Sequence, residues 1–410
     1  MDLKISKHSL IDFYLLSVVI FQIGTLIRVQ LNFHQLGNAV RIMGVVMLVY
    51  SLVKLAISGK FNKFQFWMFF LYYWNILNIL ISIFTGGLDL TRAFGEDSYL
   101  LNMFLPFLLL FDVKTLNYKR LFQYSILFAV FALAIIVFNF KYIILANNVD
   151  YVLTAIEENE NIRTLAQIPI MWSIPAAIVL LNMHLVKKSY VVIALVAFTL
   201  AIAFSMAFGR RSTSLYGVVF LVITYYLYFK NPNYKLSSKI KLSLFLGFAF
   251  VILVPFTFEH FSYLVDRGLV DSRSAVNNAY FKDMGIVDYI FGRGVNGTYY
   301  DPMSSFRHLN YRRFDNETGF LNVILHSGLL FLIPYLILGI YAFYKGFFKS
   351  KSVFIKSFAL YIIVNDLMLI LGSYPSYSIR FFILWIGIDL CYNRELRSKT
   401  DQELLLELKI

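Results

Sequence analysis

Apolar residues fill this chain in long continuous runs instead of at the three-to-four spacing of a water-facing helix. Runs of about 20 residues recur from end to end, and each is long enough to cross a hydrocarbon core of ~30 Å. The pattern predicts twelve spans, at 9–28, 39–57, 64–85, 97–113, 120–146, 165–186, 189–208, 213–229, 240–257, 317–344, 353–372 and 376–392. The fourth is short and holds Pro106, and the twelfth contains Arg380. The expected fold class is an all-α polytopic membrane protein of about 12 transmembrane helices, one integral membrane domain over residues 1–410. One connection, residues 258–316 between spans 9 and 10, is far longer than the others. Loops of that length are uncommon and often functional. It carries its own structure: Ser272 or Ser274 caps a short helix running to Met284, and FGRGVNG (291–297) reads as a glycine-rich turn.

Composition agrees with the pattern. The chain is 59% hydrophobic and 15% charged, against roughly 25% charged in soluble domains. The net charge of +13 needs no nucleic acid, because loop lysines that set topology explain most of it. Cys391 is the single cysteine, so there is no disulfide framework and no clustered His/Cys signature, and neither metal nor cofactor is expected. Lys4 and Lys7 precede the first apolar run as in a signal peptide. That run is long enough to span and no small-x-small cleavage site follows, which reads as a retained first span.

Charge placement sets the orientation. Lys60/Lys63, Lys114/Lys119/Arg120, Lys187/Lys188, Lys230 to Lys241, Lys345 to Lys356 and Arg394 to Lys399 alternate with lysine-poor connections such as 86–97 and 147–163. The positive-inside rule puts these groups and both termini in the cytoplasm, and residues 258–316 outside. On that topology 19 of the 21 lysines lie inside and 13 of the 16 arginines outside. Topology alone does not ask for arginine. A guanidinium fork matches phosphate oxygens and keeps its charge when partly desolvated. External arginines near span ends include Arg163, the pair Arg210/Arg211 in the tight turn SMAFGRRSTS, and Arg273, Arg293, Arg307, Arg312 and Arg313 in the long loop. The competing role for any one of them is to reach headgroups or to pair with loop carboxylates. The long loop holds seven Lys/Arg and seven Asp/Glu, so any anion site there comes from placement and not from net charge.

Glu317 stands where the loop enters the tenth span, in FDNETGFLNVILHSG. It is a candidate general base if burial raises its pKa; alternatively Asp315, Asn316 and Glu317 cap the helix N-terminus. His308 is a competing base, or a solvated loop histidine. His326 falls nine residues into the helix and is expected to pack or hydrogen-bond. Asp366, inside a span, is expected to have a partner or a role. The terminal TDQELLLELKI reads as a short amphipathic helix at the interface or in solvent.

Two segments together, SRSAVNNAYFKDMGIVDYIFGRGV (272–295) and ETGFLNVILHSG (317–328), resemble the bacterial O-antigen polymerase and ligase superfamily. In the ligases the second motif begins His-Asn, with an aromatic, a leucine and a glycine following. Phe320, Leu321 and Gly328 match, while Glu317 and Thr318 stand at the His and Asn positions. That departure favours a polymerase branch over a ligase. The repeated Arg-x10-Gly pattern of some polymerases is absent, since neither Arg163 nor Arg273 has glycine eleven residues on. The resemblance implies a metal-independent, inverting glycosyltransferase at the outer face of the bacterial inner membrane. Its substrates would be undecaprenyl-pyrophosphate-linked glycans, as donor and acceptor, and a chain-length regulator is a possible partner. Glu317 would be the base, with His308 the alternative, and Arg163, Arg210, Arg211 and Arg273 would hold the pyrophosphate. An O-antigen ligase is the rival within the family. A lipid-linked oligosaccharide flippase is the rival from another class, though paired halves around a midplane site are not evident in the sequence.

Overall fold

A computed structural model describes residues 10–58, 66–86, 99–139, 168–207, 211–230, scattered positions within 235–251, 273–302, 311–316, 318–370, 372 and 375–408. The described chain is overwhelmingly helical, with one two-residue antiparallel ladder, β1 (Tyr299–Tyr300) on β2 (Arg312–Arg313). The long helices are α1 (Leu10–Val29), α2 (His34–Ser58), α3 (Phe66–Gly86), α4 (Tyr118–Phe138), α5 (Lys188–Ala207) and α6 (Arg211–Lys230). Two short ones follow, α7 (Arg273–Asp283) and α8 (Ile286–Phe291). Then come α9 (Gly319–Phe348), α10 (Val353–Met368), α11 (Ile379–Tyr392), α12 (Arg394–Ser398) and α13 (Asp401–Leu408). Among the described residues five helices are long and apolar enough to cross a membrane: Leu10–Val29, His34–Ser58, Tyr118–Phe138, Lys188–Met206 and Gly319–Phe348. Their outward faces are apolar too. Ile42, Val46, Val49 and Val53 on α2, and Ile333, Ile337 and Ile340 on α9, are all exposed. Such stripes suit hydrocarbon better than water, and the architecture fits an all-α membrane protein.

Two predicted spans take irregular form. Residues 97–113 are not one α-helix: a turn of helix at Tyr99–Asn102 leads into a 3-10 segment, Leu105–Leu110, with Pro106 near its start. Proline has no N–H to donate, and in the first turn of this segment, where Pro106 sits, that donor would have no partner in the helix anyway. Residues 168–181 are likewise interrupted by a 3-10 turn, Ile174–Ala176, which holds Pro175.

The chain divides into two compact units, Met1–Leu121 with Ser272–Ile410, and Phe122–Asp271. The first is built around α11, buried from Ile379 to Cys391. Helix α1 meets it through Tyr14 on Phe382 and through Gln22, which accepts the first N–H of α11 at 2.9 Å. Arg380 is buried within this unit; its Nε donates to Asn365 of α10 at 2.6 Å and its guanidinium stacks on Phe381. Asp366 lies beside Gly339, where any side chain would collide with the carboxyl group. The second unit packs aromatics, with Phe128 on Trp172 and Phe198 on Phe220.

The C-terminal helix differs from expectation, being docked instead of solvated. Leu404 and Leu408 are buried, and Asp401 accepts hydrogen bonds from the Ser352 hydroxyl and the Phe354 N–H, closing the free N-terminus of α10. Lys114 bridges Glu395 and Glu407, and Lys399 bridges the same two carboxylates. Hydrogen bonds from Lys114 and Lys399 pull the Glu395 carboxyl from 4.5 down to about 2. Because its folded value is depressed, the stabilisation it contributes is complete above about pH 4.5 and lost as pH falls towards about 2. Amide protection factors across residues 394–408, taken relative to the intrinsic exchange rate at each pH, are therefore expected to fall over that interval, and Glu395→Gln to flatten the dependence. Asp401→Ala, which removes the cap, is expected to cost ~1 kcal/mol in thermal unfolding.

Candidate functional site

The loop-to-helix junction of the first unit is where the two motif segments meet. Helix α9 is two helical arms, 319–327 and 329–348, joined at Gly328 with φ 70° and ψ 174°. That conformation is closed to most side chains, so glycine is required. The break opens the helix to the turn that follows α8. Gly292, itself at φ 75°, lies on the backbone of residues 326–328, and Gly328 lies on the carbonyl groups of Ile290 and Phe291. A Cβ at either glycine would overlap the other segment's backbone. Across the seam the Arg293 N–H donates to the Leu325 carbonyl at 2.6 Å, and the Val295 N–H to the Ser82 hydroxyl of α3 at 2.6 Å. His326 places one ring nitrogen 3.0 Å from the Gly294 carbonyl and the other 3.1 Å from that of Phe314. Trp74 of α3 donates to the Ser327 carbonyl at 2.6 Å and its ring meets Phe291. His326 thus fulfils the structural expectation set for it.

Arg293 spends its whole fork here. It donates to the carboxylates of Asp283 and Asp288 and to the carbonyl groups of Asp283 and Thr298. Burial pushes the Asp288 carboxyl up, but Arg293 and the Gly285 N–H more than offset it and hold it below its ordinary value. Arg313 pairs with the buried Asp301 at 3.2 Å, and Arg312 reaches the Thr298 hydroxyl at 3.3 Å. These three external arginines build the loop. Tyr280 of α7 and Tyr299 of β1 add phenol donors to the carbonyl groups of Leu321 and Asp315, both 3.2 Å away. Burial raises both phenols well above their usual range, so they stay protonated donors.

The entrance to α9 is fixed by a reciprocal asparagine clasp. The Asn316 N–H donates to the Asn322 side-chain oxygen at 2.6 Å, and the Asn322 amide returns a bond to the Asn316 carbonyl at 2.6 Å. The Thr318 N–H donates to the Asn316 side chain at 2.8 Å. Asn316 thus closes a turn just before the helix; Thr318, at the N-cap position, makes no side-chain cap bond, and the Phe320 N–H donates to the Leu369 carbonyl at 3.1 Å. Beside the clasp is a small cavity of about 20 Å³, the size of a single water, where Asn102, Asn322 and His326 meet the apolar side chains of Met103, Val323 and Phe331. The buried Asn102 side-chain oxygen accepts no hydrogen bond among the described residues.

Of the residues singled out from sequence, Glu317, His308, Arg163 and Arg210 lie outside the described residues. Arg211 and Arg273 are the first residues of α6 and α7. Each stands at a helix N-terminus, in a different unit of the chain. Sequence reasoning named Asn316 among the helix-start residues but missed Asn102 and Asn322. An asparagine pair six apart flanking a helix start was the available signal, but asparagine is too common near caps to be singled out without contacts. Among the described residues no three His, Cys, Asp or Glu side chains converge to hold a metal ion. No protein-family model, no curated protein and no solved structure matches the chain.

The fork of Arg293 is a geometric requirement, so Arg293→Lys is expected to lower stability by about 1.5–3 kcal/mol, the worth of one charge-assisted hydrogen bond. Arg312→Lys, at the exposed rim, is expected to stay within about 0.5 kcal/mol. Thermal unfolding of the two variants in the same detergent checks the difference.

Proposed function

We propose that this chain is a bacterial inner-membrane glycosyltransferase that joins lipid-linked oligosaccharide repeat units into O-antigen or a related surface polysaccharide. In this reading the twelve predicted spans cross the membrane, both termini are cytoplasmic and the 258–316 loop works at the outer face. The observation that carries the reading is the seam between the two motif segments. Residues 272–295 and 317–328 were paired by resemblance, and their glycine turn and helix break interlock at Gly292 and Gly328. Two further observations support it. The chain neighbours of Glu317, Asn316 and Thr318, are anchored by the asparagine clasp. Arg211 and Arg273 are the first residues of two helices, and helix N-termini favour anions.

Glu317 takes the proton from an acceptor sugar hydroxyl as that oxygen attacks the donor's anomeric carbon. The anomeric C–O bond to undecaprenyl pyrophosphate breaks on the opposite face, with inversion. Arg163, Arg210, Arg211 and Arg273 stabilise the departing pyrophosphate, where negative charge grows. No metal takes part in this scheme.

Glu317→Gln is expected to abolish long polymer in a complemented deletion strain and to leave single-repeat products, read from polysaccharide ladders on gels. Normal ladders from the variant would remove Glu317 as base and turn attention to His308. Alanine at Arg210, Arg211 or Arg273 is expected to slow polymerisation on the order of 10²–10³-fold, with protein level in the membrane unchanged. A deletion strain with unaltered polymer length would exclude the polymerase, and loss of glycan transfer to lipid A core alone would indicate a ligase.

A further inference from the structure

We propose that α8 is a membrane wedge whose apolar face, Ile286, Val287 and Ile290, lies in the acyl chains of the leaflet on the loop's side of the bilayer. The inference needs the chain to sit in a membrane and does not need the glycan chemistry proposed above.

Three observations point to it. The first is depth. The segment after α8 touches α3 at Ser82, through Val295, and Phe291 touches it at Trp74. Helix α3 ends at Gly86, so at ~1.5 Å per residue these contacts lie about 6 and 18 Å from its end. The segment therefore runs alongside the helix and into the bundle, instead of passing over its end. A hydrocarbon core is ~30 Å thick, which puts α8 at the level of one leaflet.

The second is the treatment of the backbone. Non-helical chain at membrane depth is tolerated only when protein satisfies its polar groups. The N–H groups of Gly292, Arg293, Val295 and Gly297 all find acceptors within the protein, and the Gly294 carbonyl faces the His326 ring. The Arg293 charge is met by two carboxylates and two carbonyl groups. A loop in water can leave such groups to solvent.

The third is the distribution of exposed side chains. Ile286 is 80% exposed and Val287 68%, and Ile290 and Phe281 are exposed as well, while the polar residues Asp283, Asp288 and Arg293 turn to one another. Apolar on one face and charged on the other is the composition of an element lying in the interface. Helix α9, against which α8 packs, continues the same character with its exposed Ile333, Ile337 and Ile340. The occupant is bulk lipid hydrocarbon.

Spin labels test this in proteoliposomes. Single cysteines replace Val287, Ile290, Lys282 and Ile337 in a Cys391→Ala background, all four at surface positions, and power saturation compares collision with oxygen and with a water-soluble nickel chelate. At Val287 and Ile290 oxygen is expected to exceed nickel several-fold, with the reverse at Lys282. Ile337 is the embedding control: oxygen dominance there shows that α9 lies in lipid, whatever α8 does. With that control met, nickel dominance at Val287 would place α8 in water, and shielding from both reagents would mean that protein covers the face. Either result overturns the wedge. Nickel dominance at Ile337 as well would instead overturn the membrane reading on which both proposals stand.

Discussion

Backbone polar groups inside an apolar bundle must find partners within the protein, and the break in α9 is where that constraint is most demanding. Gly328 interrupts the helical ladder in the interior of the first unit, leaving the ends of two arms beside each other. Water is a poor remedy at that depth, and the protein supplies one by inserting the turn that follows α8. The Leu325 carbonyl receives the Arg293 N–H, His326 meets the Gly294 carbonyl, and the two glycines let the backbones touch. The seam positions α7 and the β-hairpin above it, and it holds the entrance of α9 in register for the asparagine clasp.

The external arginines divide by what their forks meet. Arg312, at the exposed rim, reaches the Thr298 hydroxyl, whereas Arg293 and Arg313 are turned inward onto loop carboxylates and make a fold from a segment whose opposite charges balance. For them the ordinary alternative, pairing with loop carboxylates, is the one realised. Arg211 and Arg273 occupy another kind of position, the opening residue of a helix, where the backbone is itself an anion-binding surface. In the proposed reading the arginines on the loop's side thus have two causes on one chain: assembly of the loop and stabilisation of a pyrophosphate leaving group. The enrichment alone could not separate them, because residue type is the same in both.

The sequence by itself determined the class of the molecule and the position of most helices. Span-length apolar runs leave few alternatives, and α1, α2, α3, α5, α6 and α9 to α11 fall close to the predicted limits. The helix after Ser272 and the turn at 291–297 were also legible, since capping residues and paired glycines act locally. What only the tertiary structure decided is everything that depends on distant partners: the 3-10 course of 105–110, the docking of α13 onto α10, the pairing of Asn316 with Asn322 and the use of Arg293. Gly328 shows the difference most clearly. In sequence it is one glycine in a strong helical run, at modest local cost, and only the approach of Gly292 from a separate segment makes the break favourable. Local pattern sets which segments become helices, because apolar burial and the hydrogen-bond ladder are properties of the segment. Where a helix breaks, and which polar groups meet at the break, is settled by contacts between segments far apart in the chain.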